Sequence, residues 1–250
     1  MKLHIKRRIA ILKVRLVGAI EVLLGRACFY SSRKYAYHHL SFSQEGEDGV
    51  LMRIFQSQQE GFYVDIGAHH PQRFSNTYRF YLRGWRGINV DPLPGSKGRF
   101  DALRDRDINL EIGVASEPGV LTYFSFEEPA FNTFDSKVAL SRTSALLQRR
   151  EIPVYPLKQV LNDNLPAGEA IDFLSIDVEG LDLAVLRSND WSRFRPRFVL
   201  AEALGMRDVR DVQQTELHAF MENVGYSLYA KTMNTLFFMD NSFSLADQNP

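Results

Sequence analysis

Phe62-Tyr63-Val64-Asp65-Ile66-Gly67-Ala68-His69-His70-Pro71 decides the fold. Its first five residues form a short, mostly apolar run, the pattern of a strand buried on both faces. Gly67 then allows a sharp turn that brings the backbone close to whatever lies beyond the strand. The same alternation repeats outward from this stretch. Residues 87–91, 108–114, 171–177 and 198–202 read as further strands, and 119–125 as an extra one. Helical patterns cover 50–55, 75–82 with Ser75 as N-cap, 96–104, a start at 157–161, 181–186 and 213–223. Residues 226–229 and 236–239 pair as a closing hairpin, while 127–151 read as polar and irregular, then helix-compatible. Strand–helix alternation with short apolar strands predicts an α/β fold, a parallel sheet covered by helices on both faces.

The chain has 250 residues, 45% of them hydrophobic and 24% charged, which excludes a disordered, collagen-like or multi-span membrane protein. Thirty basic and thirty acidic side chains cancel, but unevenly. Residues 1–40 carry nine Lys/Arg against Glu21, a charge of +8. The other 210 residues carry 21 basic and 29 acidic side chains, a charge of −8. The sequence therefore divides into a basic arm, 1–40, and an acidic domain, 41–250. Ile5, Ile9, Leu12, Leu16, Ile20 and Leu23 place one apolar face on a helical arm, with Lys6, Arg8, Lys13 and Arg15 mostly off it. Two readings of residues 3–24 stand side by side: a helix lying on an anionic membrane surface, or one that caps the domain or pairs with a second copy in a homodimer. Lys13 and Arg15 interrupt the apolar run, so neither a spanning helix nor a cleaved secretory signal is expected. A single cysteine, Cys28, forms no disulfide within the chain and no cysteine metal knuckle. A cytoplasmic location is the expectation, with peripheral contact at the inner membrane surface only on the first reading of the arm.

Ligands of open α/β sheets bind beyond the carboxyl ends of the strands. Asp91 ends the second strand, where a carboxylate accepts both ribose hydroxyls of a nucleoside. A dinucleotide site wants Gly-x-Gly-x-x-Gly, and this loop offers Gly67 followed by Ala68-His69-His70-Pro71. Asp65 repels a phosphate and attracts an ammonium, so S-adenosylmethionine suits the edge better than a dinucleotide. Asp177 and Glu179 end a later strand beside the first loop; they can take a hydroxyl proton, hold a divalent metal, position a substrate or simply cap the next helix. His69 and His70 are either a base or part of the turn. Two carboxylates without further ligands specify no metal site. Residues 127–150 are a lid over the acceptor or a plain surface loop.

Five ordered motifs then carry a resemblance: Ser43-Gln44-x-Gly46-Glu47-Asp48, Val64-Asp65-Ile66-Gly67-Ala68, Gly84-Trp85-x-Gly87-Ile88, Asp172-Phe173-Leu174-Ser175-Ile176-Asp177-Val178-Glu179-Gly180, and Arg195-Pro196 ahead of Glu202. Over about residues 41–240 the chain resembles the FkbM family of S-adenosylmethionine-dependent methyltransferases. The resemblance implies a Rossmann-like class I methyltransferase fold, a mostly parallel seven-stranded sheet with a reversed seventh strand. It also implies O-methylation of hydroxyls on sugars, glycolipids or secondary metabolites. It places Asp65, Gly67, Ala68 and Asp91 against the cofactor, Ser43, Gln44 and Glu47 near its pocket, and Asp177 and Glu179 as the family's acidic pair. The loop departs from the family's usual Gly-Ala-Asn-x-Gly at His69-His70-Pro71. A nicotinamide-dependent oxidoreductase and a non-catalytic binding protein are the rival readings; the acidic domain argues against a nucleic-acid partner.

Overall fold

A computed structural model describes residues 39–206 and 208–244. The predicted amphipathic helix of the arm and Cys28 lie outside the described residues. Along the chain come α1 (Glu47–Ile54), β1 (Phe62–Ile66), α2 (Tyr78–Leu82), β2 (Arg86–Val90), α3 (Ser96–Leu103), β3 (Ile108–Leu110), β4 (Gly113–Val114) and β5 (Gly119–Phe126). A 3-10 turn (Pro129–Phe131) and α4 (Ser136–Ser141) lead into β6 (Leu146–Tyr155), α5 (Leu157–Asn164), β7 (Phe173–Ile176) and α6 (Asp182–Arg187). The last elements are β8 (Phe198–Glu202), α7 (Val209–Gln213), α8 (Glu216–Asn223), β9 (Tyr226–Lys231) and β10 (Thr235–Asp240).

The main sheet has seven strands in the order β3-β2-β1-β7-β8-β10-β9. β3, β2, β1, β7 and β8 run parallel, and β10 runs antiparallel to both neighbours. The reversed strand and the helical layers are those the resemblance implies. β1 is central and every residue of it is buried, as its unbroken apolar run requires. Its side chains alternate between two cores. Phe62, Val64 and Ile66 face one layer with residues of α5, α6 and α8, such as Leu161, Val185 and Met221. Tyr63 faces the other with Phe55 just past α1, Phe80 of α2, Trp85, Phe173 and Phe198. Each such large side chain contributes about 1.5–3 kcal/mol on burial. Among the described residues no helix is long and apolar enough to cross a membrane.

Several boundaries differ from the sequence reading. The strand expected at 108–114 is two strands: β3 closes the main sheet, and β4 turns away to pair with β6 in a second, three-stranded sheet, β4-β6-β5. Residues 146–151 are not helical; they begin β6, whose register against β5 runs from Gly119↔Val154 to Phe126↔Leu146. Long-range pairing with β5 overrides the local helical tendency of that stretch. Ser75 does not cap α2; the helix begins at Tyr78 with Thr77 at the N-cap, while Ser75 Oγ accepts from the amides of Thr77 and Tyr78. The helix expected at 213–223 begins only at Glu216, because Thr215 caps α8, accepting from the His218 amide, and Gln213 instead ends the separate helix α7.

Candidate functional site

The chain leaves β1 toward β2 and β3 on one side and returns through β7 and β8 on the other. The strand order therefore reverses between β1 and β7, the place where open sheets bind ligands. A cavity of about 390 Å³ lies there, within the size range of small-molecule sites. Its floor is the carboxyl ends of β1, β2, β7 and β8: Asp65 to His69, Val90 to Pro92, Ser175, Asp177 to Glu179, and Glu202. Gly67 explains how the two central ends fit together. Its φ is +82°, and a Cβ on it would drive into the carbonyl of Asp177. Its amide donates to Val90 O at 2.9 Å, and the Asp177 amide donates to Ile66 O at 3.0 Å.

The loop after β1 carries its own restraints. Asp91 Oδ2 accepts from the His69 amide at 2.8 Å, and Oδ1 accepts from the Leu93 amide at 2.9 Å. Each oxygen keeps a lone pair for a further donor, as two ribose hydroxyls would need. Burial raises the Asp91 carboxyl to about 7, against the opposing pull of those two amides. Asp65 accepts from Thr77 Oγ1 at 2.8 Å; burial pushes its pKa up and Arg104 pulls it down. His69 lines the cavity at φ +53°, and its Nε2 is buried with no hydrogen-bond partner. Burial first, then Arg73 and His70, lower its pKa to about 4, so the ring is neutral at pH 7. His70 does not line the cavity: its Nδ1 accepts from the amides of Gln72 and Arg73 and shapes the turn.

Asp177, Glu179 and Glu202 bring ligand atoms within 4.8 Å of one another. Asp177 is exposed toward the cavity, yet the enclosing protein raises its carboxyl well above the ordinary range, burial first, then Asp182 and Glu179. The same causes, led by burial and then Asp177, raise Glu202 to about 10. Asp182, at the start of α6, stands at about 7 through burial. Glu179 is set apart from them. It sits at φ +53°, and its carboxylate pairs with Arg142. Like charges this close call for a proton or a cation among them. A methyl donor bearing a sulfonium and an ammonium fits this donor set, and a divalent cation fits the same three carboxylates.

A lid closes the cavity from the segment between β5 and β6. Glu128 forms a two-pronged pair with Arg73, both contacts 3.0 Å. Thr133 Oγ1 donates to Glu179 O at 2.9 Å, and Arg142 reaches Glu179 from the far end of the segment. Phe134 packs on Tyr123, with ring centroids 4.8 Å apart, and fills the space above Gly113. Residues 129–134 and Arg142 line the cavity, so this part of 127–150 is a lid and not a plain surface loop. The remainder, from Leu146, belongs to β6.

The leading motif is placed unevenly. Gln44 lines the cavity. Glu47 lines a small annex of about 30 Å³ beside it and accepts from Thr235 Oγ1 at 3.0 Å. Ser43 reaches neither space: its hydroxyl donates to Asp48, which also takes the Phe42 amide and ties the segment down. Ala68 lines the cavity with Gly67. The sequence reading passed over Glu202, Asp182 and Arg142 as site residues. An acid ending a buried strand was a usable signal for Glu202; nothing local marks Arg142, which the lid carries to Glu179.

Searches of curated proteins and of solved structures find no match. A family profile described as the methyltransferase FkbM domain matches residues 65–228, well over half of the chain. That span runs from Asp65 to Leu228 and includes Gly67, Asp91, Asp177, Glu179, Glu202 and the lid. The chain belongs to the FkbM methyltransferase family.

Proposed function

We propose that this protein is an S-adenosylmethionine-dependent O-methyltransferase whose acceptor is a hydroxyl of a sugar, glycolipid or secondary metabolite. The observation that carries the reading is the acid-lined cavity at the β1/β7 switch point, with Asp91 placed for a ribose and no glycine-rich phosphate loop. When bound, the donor supplies a sulfonium methyl, whose transfer to oxygen leaves a neutral thioether and frees the hydroxyl proton. Asp65, Ala68 and Asp91, with Gln44, line the donor's side, and Gly67 holds the β1 and β7 ends together. Asp177 receives the proton: it opens on the cavity beside Glu179 and Glu202, and burial raises its carboxyl above the ordinary range, which strengthens it as a base. Glu179, held by Arg142, positions the loop that carries Asp177. Neutral His69 lines the acceptor's side of the cavity, and His70 keeps the turn in shape. The domain extends over 41–250, and the arm is where a membrane-borne acceptor or a second copy would enter.

The test has two parts. Calorimetry with S-adenosylhomocysteine and with NAD separates the methyltransferase from an oxidoreductase; only the first should bind. Labelled S-adenosylmethionine is then incubated with lysate split into lipid, glycan and small-molecule pools, with and without chelator. Asp177→Asn should lower turnover on the labelled acceptor at least ~100-fold while leaving S-adenosylhomocysteine affinity within about threefold. Undiminished turnover would remove Asp177 as the base.

A further inference from the structure

Beneath the cavity floor lies a buried cation that the proposed chemistry does not use. Arg104, just past α3, is fully buried and makes hydrogen bonds from Nε, Nη1 and Nη2. Nε donates to Asp107 Oδ2 at 2.8 Å, and Nη1 donates to Ser75 Oγ at 3.4 Å. Nη2 donates to Tyr63 Oη at 2.8 Å and to Thr77 Oγ1 at 3.0 Å. Thr77 in turn donates its single hydroxyl proton to Asp65 Oδ2 at 2.8 Å. The direction of this chain follows from the donors. A guanidinium only donates, so it occupies a lone pair of the Thr77 oxygen and leaves the hydroxyl proton to point at Asp65. A hydroxyl polarised this way favours the anionic carboxylate.

We propose that Arg104 is a positioning residue that holds Asp65 as an oriented anion at the cavity floor, acting through the Thr77 hydroxyl. The carboxylates around Asp65 oppose that state. Asp107 beside Arg104, Asp91 just past β2 and Asp177 just past β7 are all carboxylates; Thr77 and Ser175 are neutral hydrogen-bond partners. Burial raises the Asp65 pKa, and Arg104 is the largest opposing influence. The effect on cofactor binding rests on Asp65 facing the donor's ammonium as proposed above; the relay itself does not.

Two readouts keep these apart. The first is the side-chain carboxyl ¹³C signal of Asp65 followed across pH without ligand, assigned by its absence from Asp65→Asn. The second is calorimetric affinity for S-adenosylhomocysteine across the same range. Thr77→Val leaves the Arg104–Asp107 pair intact and should raise the Asp65 midpoint by about half a unit or more, about threefold in affinity on the acid side. Arg104→Lys keeps the charge and should stay nearer wild type, whereas Arg104→Met should move further than Thr77→Val. Arg104→Met also strands Asp107, so if that variant fails to fold, Thr77→Val and Arg104→Lys decide the matter. In an Asp65→Asn background, Thr77→Val should no longer move the affinity profile. An unshifted Asp65 signal in Thr77→Val overturns the relay, as does an equal affinity shift in the Asp65→Asn background. A shifted signal in a protein that binds no S-adenosylhomocysteine at any pH upholds the relay and refutes the cofactor reading instead.

Discussion

Gly67→Ala tests how the site is held together. The native φ of +82° costs an L-residue about 1–2 kcal/mol. The added Cβ would also fall inside the carbonyl oxygen of Asp177 and 2.8 Å from its carbonyl carbon. Backbone lies on both sides of that contact, so the ends of β1 and β7 must part. Parting them strains the Gly67 N–Val90 O and Asp177 N–Ile66 O hydrogen bonds, worth about 1 kcal/mol each. The total is roughly 3–4 kcal/mol, a large share of the ~5–15 kcal/mol typical of a domain. At about 2–4 °C per kcal/mol, the melting temperature should fall by about 6–16 °C. Gly95→Ala is the matched control: its φ is +85°, but no atom lies within 4 Å of an added Cβ, so only the conformational cost of about 1–2 kcal/mol applies. Denaturant unfolding of both variants measures the difference directly. If Gly67→Ala were no less stable than Gly95→Ala, the close approach of the two strand ends would not be what demands glycine.

Two further outcomes follow from the carboxylates. Asp91 and Asp182 both stand at about 7 in the folded chain against an ordinary 3.8, so the folded state binds more protons between those values. The stability of the ligand-free protein should therefore rise as pH falls from about 8 to 5, by up to several kcal/mol at about 1.4 kcal/mol per unit, and be lost as pH climbs back through 7; a melting temperature that increased over pH 5 to 8 would contradict the burial assigned to both groups. Asp91→Asn presents an amide N–H₂ to one of the two backbone amides that Asp91 now accepts, and removes an acceptor from the proposed ribose site. Calorimetry should show S-adenosylhomocysteine affinity about 10–100-fold weaker, at ~1.5–3 kcal/mol for hydrogen bonds to a charged group; an unchanged Kd would move the ribose elsewhere.

Legibility from sequence followed the range of the interactions involved. The strands of the main sheet announce themselves because burial on both faces demands short apolar runs, and β1, β2, β7 and β8 stand within a residue or two of where those runs lie. The reversed β10 and the acids at the strand ends were equally readable, through the family resemblance and through the rule that sheet ligands sit at carboxyl ends. Residues 146–151 were misread because β6 is held by pairing with β5 some thirty positions earlier, not by its own propensity. Ser43 and His70 look like site residues in one dimension; in three, one fastens Asp48 and the other caps its own turn.

By itself, then, the sequence determined the α/β architecture, the family, and which carboxylates reach the ligand edge, because periodicity and residue type act over a few neighbouring positions. Only the tertiary structure decided their partners. Arg142 and Glu179 are 37 positions apart, and Arg73 and Glu128 are 55. Asp65 meets Arg104 only through a hydroxyl that packing places between them. Charge pairing and proton affinity depend on distance and on the exclusion of water, and both are set when the lid, the strand ends and α3 close on one another.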